Sequence, residues 1–410
     1  MATDTLDYSA LYRTDLPAAA GPWSPLPRFH FVGGNNDEAS VPIDGLIDAA
    51  TQVLRREGRS LAKYGLDSGP LGYRPLRDFI ARKLKRDTGI TCTPDEVLLT
   101  TGSLQGLDLV NALLVAPGDT VIIEEMTYGG AITRLNRAGA KIVGVPVDHD
   151  GLSADALSNA LADLKRRGVR PKYIYTIPTV QNPTATVMSE SRRQAILALS
   201  REYEVPIFED ECYADLVWSG RRPTALRALA GDSDRVIHIG SFSKSIAPAL
   251  RVGYLVAGWP LMSRILPLKT DAGSGALEQM VLAEYCETQF VPHVDALRKT
   301  LRGKVETLMT SLRQHFGDEV AFDDPPGGIF LWVKFPERVD TSRLYDIAHR
   351  AGVVVNPGAE WMTDPVEGRR RIRICFAHPT ERVIREGVAQ LAEICHREFG
   401  VPTRDSKGHR

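Results

Sequence analysis

Two hydrophobic periods alternate along the chain between residues 44 and 260. Leu46, Ile47, Ala50, Val53 and Leu54 fall on one face at helical spacing and predict a helix over 44–56. Leu76, Phe79, Ile80 and Leu84 predict another over 74–86. From there short apolar runs take turns with helical stretches. The runs predict strands at 97–100, 120–123, 141–145, 173–176, 206–209, 235–239 and 253–256. The stretches between them predict helices at 103–114, 131–138, 154–165 and 190–203. Several runs, such as Val97-Leu98-Leu99 and Val121-Ile122-Ile123, are apolar without a break. A strand covered by helices on both faces has that pattern, so an α/β fold around a parallel sheet is expected. Strand order is not legible in it.

The two ends of the chain read differently. Pro17, Pro22, Pro25, Pro27 and Pro42 prevent regular helix in the first 45 residues. An extended arm is expected there, lying on its own domain or on a partner subunit. Beyond Pro260 a long, polar-faced helical stretch runs over 275–316. Strands at 328–333, 352–355 and 371–376 and helices at 342–351 and 381–399 follow in a mixed α+β layout. The expected division is an arm over 1–45 that contributes to the small domain, a large domain over 46–280 and a small C-terminal domain over 281–410.

Composition narrows the function classes. The 410 residues carry 50 Lys and Arg against 51 Asp and Glu, a net charge of -1. A nucleic-acid partner held by phosphate neutralisation is therefore not expected. The longest apolar runs, 113–116 and 353–355, fall far short of the roughly 20 residues that cross a bilayer. No basic stretch followed by an apolar one opens the chain, so no signal peptide is expected. Cysteines 92, 212, 286, 375 and 395 form no Cys-x-x-Cys pair, which suits reduced thiols and no metal site. A cytoplasmic enzyme is the expectation.

Ligands of open α/β sheets bind beyond the carboxyl ends of the strands, so polar residues there are the candidates. Gly102-Ser103 opens a helix, where free N–H groups and the helix dipole suit a phosphate; an ordinary Ser cap fits equally. Asp210 fits a cation, a helix cap or an Arg pair. Lys244 follows an apolar strand, where burial disfavours its charge and makes it a nucleophile toward carbonyls; a solvated Lys is the alternative. Arg373, between Ile372 and Ile374, fits a surface position or a bidentate carboxylate clamp. Taken together, an anion site, an Asp, a Tyr, a Lys and an Arg meet the needs of pyridoxal 5′-phosphate (PLP) and an amino acid.

The segment Ser241-Phe242-Ser243-Lys244-Ser245-Ile246-Ala247-Pro248-Ala249-Leu250-Arg251-Val252-Gly253 carries a resemblance. So do Gln181-Asn182-Pro183-Thr184 with Glu209-Asp210-Glu211-Cys212-Tyr213, and Tyr64-Gly65 with Gly72-Tyr73-Arg74-Pro75-Leu76-Arg77. Over about residues 30–400 the chain resembles the fold-type-I PLP enzymes of the class I/II aminotransferase family. It looks closest to the branch with 2-aminoadipate and kynurenine aminotransferases and the effector domain of MocR-type regulators.

The resemblance implies a large domain with a mostly parallel seven-stranded sheet, a smaller α+β domain, and a homodimer with shared active sites. It implies that Lys244 forms the Schiff base and moves the substrate proton, while Asp210 pairs with the pyridinium nitrogen. Asn182 and Tyr213 would bond the ring O3′, and Tyr128 would stack on the ring. Ser103, Ser241, Ser243 and Arg251, the N–H groups of Ser103 and Leu104 after Gly102, and Tyr64 from the partner subunit would bind the phosphate. Arg373 would clamp the substrate α-carboxylate with Asn182 assisting, and Gly33-Gly34 would lie near the substrate.

This chain departs from the family at several points. Ala185 stands where Gly is usual, Met126 where Pro is usual and Leu104 where Gln is common. Asn35-Asn36-Asp37 replaces an apolar residue and Pro after Gly33-Gly34. The implied reaction is ping-pong transfer of an amino group from an L-amino acid to a 2-oxo acid. The alternative is another PLP carbanion reaction: β- or γ-elimination, replacement or C–C bond formation. A regulator is not expected, because only about 45 Pro-rich residues precede the fold, where a DNA-binding domain would be needed. A Ser-x-x-Lys hydrolase would also need Lys-Thr-Gly, but Lys269-Thr270 precedes Asp271 and Lys299-Thr300 precedes Leu301. Trp23, Phe29, Phe31 and Trp361 fit either a substrate side-chain pocket or plain packing, and Arg28 either a second carboxylate or the surface.

Overall fold

The computed structural model describes residues 6–14, 16–220, 222–231 and 234–402. The expectations for 1–5 and 15 of the arm, and for 403–410, lie outside the described residues. Seven strands form one sheet in the order Val97–Thr101, Val252–Val256, Val236–Ser241, Ile207–Asp210, Ile174–Thr176, Thr120–Glu124, Lys141–Val145. All run parallel except Val252–Val256, which is antiparallel to both neighbours.

The unbroken apolar runs divide their residues between two cores, as the pleat requires. Val97 and Leu99 pack with Leu76, Phe79 and Ile80 of the helix Arg74–Thr88. Leu98 points the other way, to Leu107 and Val110 of the helix Ser103–Leu114. Ile122 and its neighbours Val121 and Ile123 divide in the same manner. Truncating such a residue to Ala costs roughly 2–5 kcal/mol, so the sheet is held rigidly between helical layers.

The stretch expected as a polar-faced helix is Ala276–Phe316, 41 residues long. Its other face buries a stripe through two cores: Met280, Leu282, Phe290 and Val294 beside the seven-stranded sheet, then Leu297, Leu301, Val305, Leu308 and Leu312 beside a second sheet. That second sheet is antiparallel, in the order Phe330–Lys334, Arg371–Cys375, Asn356–Pro357. The single strand expected at 352–355 is two short ones with different partners. Val353–Val354 pairs in parallel with Phe29–His30 of the arm, while Asn356–Pro357 joins Arg371–Cys375. The described arm residues before Pro27 are exposed, Trp23 among them. No helix among the described residues is long and apolar enough to cross a membrane.

Candidate active site

The parallel strands all end at one edge of the sheet. Val252–Val256 runs the other way and so begins there, with Val252 opposite Thr101. This places Arg251 beside the entry to the helix Ser103–Leu114. Gly102, with φ 70°, is the cap, and Ser103 is the first helical residue. The ordinary Ser-cap alternative is therefore overturned: no side chain caps this helix, and Ser103 lines the cavity beside Cys212. Arg251 itself has φ 54°, and its guanidinium reaches Pro248 O (3.1 Å) and Thr101 O (3.4 Å). Ser241 and Ser243 are buried next to it, and Ser241 Oγ accepts from the Ser243 N–H at 3.1 Å. Free N–H groups at a helix start, hydroxyls and a guanidinium make a cradle for a phosphate dianion.

Lys244 is half-buried in the wall of the cavity rather than on the open surface. Burial lowers its ammonium to about 8, and Nζ donates to the Gly34 carbonyl at 2.5 Å. A Cβ at residue 34 would meet Nζ, so the lysine end would have to shift to make room for any larger residue there. Asp210 is buried at the end of its strand. Its oxygens accept from the Tyr175 hydroxyl (2.8 Å) and the Cys212 N–H (3.1 Å). Burial pushes its carboxyl up, and these neutral donors oppose that. A buried carboxylate with only neutral donors is ready for a cationic partner.

Arg373 is 2 % exposed, so the surface alternative is overturned. Arg373 donates to Asn182 Oδ1 (3.1 Å), Gly33 O (2.8 Å) and Asn356 Oδ1 (3.1 Å), and its Cζ lies 3.6 Å from the centroid of Trp361. Its buried Nε has no hydrogen-bond partner among the described residues, a donor that a carboxylate would satisfy. Asn182 Nδ2 donates to the Tyr213 hydroxyl at 3.3 Å, and burial raises the Tyr213 phenol. Tyr128 stands 6.0 Å from Trp361, ring to ring.

One cavity of 320 Å³ takes in Gly33, Gly34, Ser103, Leu104, Tyr128, Asn182, Asp210, Tyr213, Ser241, Ser243, Lys244, Arg251 and Arg373. Gly102 borders it as the helix cap. Tyr64 does not belong to it: the side chain is 91 % exposed and lines a separate cleft of 780 Å³. Of the four aromatic candidates only Trp361 lines the cavity; Phe31 is core, Phe29 packs against that core and Trp23 is exposed. Arg28 pairs with Glu386 on the surface.

Sequence reasoning missed Tyr175, Ile177, Cys212 as a lining residue, Asn356 and Cys375, whose Sγ donates to Gly33 O at 2.8 Å. Tyr175 was visible only as part of an apolar run. Knowing that its strand neighbours that of Asp210 would have singled it out.

The departures from the family are accommodated. Ala185 keeps φ 63° in a buried turn and donates to Gln181 O at 2.5 Å. Asp37 meets the buried Lys304 at 2.6 Å, which also donates to Ala377 O at 2.5 Å, so the loop after Gly34 is pinned to the long helix. The residues fit pyridoxal phosphate on their own chemistry: an anion cradle, a carboxylate without a cation, a buried amine with a lowered pKa and a guanidinium with a spare donor.

Comparison with known proteins agrees. Residues 33–391 match the family described as aminotransferase class I and II. A 2-aminoadipate transaminase of Thermus thermophilus is 31% identical over 88% of this chain and 88% of its own length. An uncharacterized HTH-type transcriptional regulator of Bacillus subtilis, YisV, is 31% identical over 80% of this chain and 66% of its own length. The crystal structure of a Pyrococcus horikoshii kynurenine aminotransferase with PMP is similar with a TM-score of 0.85 at 28% identity, over 90% of this chain and 91% of that one.

Proposed function

This chain belongs to the class I and II aminotransferases, and on that premise we propose the roles of its site residues. It is a PLP-dependent aminotransferase that moves an amino group from an L-amino acid to a 2-oxo acid. When bound, the cofactor supplies an aldehyde that condenses with amines and a ring that takes up electrons as the substrate Cα proton leaves.

Lys244 is the amine that meets the aldehyde and the base whose Nζ then takes the Cα proton. Its lowered pKa of about 8 leaves roughly a tenth of it neutral at pH 7, far more than an ordinary lysine would have. Asp210, held by Tyr175, keeps the ring nitrogen protonated. Ser103, Ser241, Ser243, Arg251 and the first N–H groups of the helix hold the phosphate. Asn182 and Tyr213 face the ring hydroxyl, and Tyr128 covers the ring. Arg373, steered by Asn182, Asn356 and the Trp361 face, takes the α-carboxylate.

The observation that carries these assignments is the single cavity that places the buried Lys244 amine with Asp210 and Arg373. The test is the visible absorption of the purified protein after single amino acids are added without an oxo acid. Bleaching of the cofactor band with release of a 2-oxo acid is expected, and Lys244→Ala should abolish it. Release of ammonia instead would assign an elimination.

We also propose a homodimer with shared sites. Exposed Ile43, Ile47 and Leu54 on one helix and the exposed Tyr64 beside the large cleft support a second copy seated there. A division into an arm over 1–45, a large domain over 46–280 and a small domain over 281–410 is supported in outline by the separate cores of the two sheets, although the long helix packs on the large-domain side as far as Val294 and turns to the small-domain core only from Leu297. Five free cysteines support a cytoplasmic setting.

A further inference from the structure

Glu124 ends the strand Thr120–Glu124 with its carboxylate wholly inside the protein. It is not part of the cavity lining, yet it is surrounded by donors from three segments. Oε1 accepts from the Thr176 hydroxyl (2.6 Å) and the Ile177 N–H (3.1 Å). Oε2 accepts from Gln181 Nε2 at 2.9 Å, with the Thr127 hydroxyl at 3.4 Å. Gln181 Nε2 also donates to Met126 O at 2.6 Å, so one amide group holds the turn that leads to Tyr128. The other end of Gln181, Oε1, takes the Thr184 N–H (2.9 Å) and hydroxyl (2.8 Å), which fixes the turn around Asn182. Every group facing the carboxylate donates, and burial raises its pKa to about 7 against the pull of those bonds. Leaving such a group buried is costly unless all its partners are kept.

We propose that Glu124 is a positioning residue, whose carboxylate, through Gln181, locks the turn bearing Tyr128 to the turn bearing Asn182. The two side chains then meet the ring and the substrate from fixed directions. The proposal rests on the cofactor assignment above. Its geometry excludes an easy substitute. A glutamine at 124 turns its NH2 toward donors whichever way it faces. Rotating the Gln181 amide to answer it would break the bond from the Thr184 N–H and the bond to Met126 O, neither of which can reverse its direction.

A double-mutant cycle tests the link. Glu124→Gln and Gln181→Ala are each expected to lower kcat by about tenfold, with KM moving less than threefold. The double variant should fall about as far as the worse single, not to the roughly hundredfold product, because both act through one connection. Loss of the visible circular dichroism of bound cofactor should follow the same non-additive order. Additive losses, or a Glu124→Gln enzyme within about twofold of wild type, would overturn the proposal.

A readout without cofactor separates this from the functional assignment. In the cofactor-free chain, amide exchange at Ile177 and Thr184 should quicken by about tenfold or more in Glu124→Gln. If these amides exchange as in wild type, the link is absent even where the cofactor binds. If they quicken and the wild-type chain takes up no cofactor, the functional assignment fails and the lock stands.

Discussion

Lys244 carries the sharpest consequence at the scale of a single residue. Burial brings its ammonium down to about 8, so the neutral, reactive amine is half formed there and not near the ordinary lysine value. The rate at which the cofactor-free protein captures PLP should therefore rise about tenfold per pH unit below 8 and level off above it. A rise that continues to pH 10 in stopped-flow absorbance would show a solvated lysine. Arg373 makes a second residue-scale case. Three acceptors and an aromatic face fix its planar fork, and an ammonium matches none of that geometry. Arg373→Lys should raise KM for the amino donor by about 10- to 100-fold, the worth of a charge-assisted hydrogen-bond pair, with a smaller change in kcat. Steady-state kinetics with one donor at saturating oxo acid decides it.

At the scale of elements, the phosphate end of the site depends on one contact between a helix and a strand. The start of the helix Ser103–Leu114 is set by its contact with the antiparallel strand, where a Cβ on Gly253 would lie 2.6 Å from Ser103 N. No rotamer relieves a clash with backbone, so the helix start would have to move. Gly253→Ala should weaken PLP binding by at least about tenfold, since the phosphate depends on N–H groups aimed within tenths of an ångström. Titration of the cofactor-free protein followed by absorbance measures this. Binding within about twofold of wild type would mean that the cradle tolerates a displaced helix.

Assembly is the remaining level. Tyr64 does not line its own chain's cavity, and the resemblance gives it to a partner's phosphate. Mixing inactive Lys244→Ala with impaired Tyr64→Ala protein, after subunit exchange, should restore about a quarter of wild-type activity, because half the random dimers then hold one intact site of two. Activity no greater than the sum of the parents would place Tyr64 outside the partner's site. The apolar face of the helix Ile43–Glu57 belongs to the same proposal: Ile43 and Ile47 are each a little over half exposed, so a second copy covering them would contribute about half of the roughly 1.5–3 kcal/mol that full burial of such a side chain gives.

Local periodicity in the sequence determined where most helices and strands of both sheets lie, within a few residues. Each window of about ten residues carries its own period, and the period reports which faces are covered. Part of the candidate set was legible too, because ligand-binding residues of such a sheet lie at or beyond its strand ends, as Asp210, Lys244 and Asn182 do, while the roles of others such as Tyr128 and Tyr64 were carried by the family resemblance. Only the tertiary structure decided the rest. The reversed direction of Val252–Val256 brought Arg251 to the carboxyl edge. The neighbouring strands of Tyr175 and Asp210 made their hydrogen bond, and the packing of Trp361 and Phe330 over Arg373 turned a residue that alternation left ambiguous into a buried clamp. Pairing and burial are agreements between segments far apart in the chain, and no local pattern of apolar and polar residues contains them.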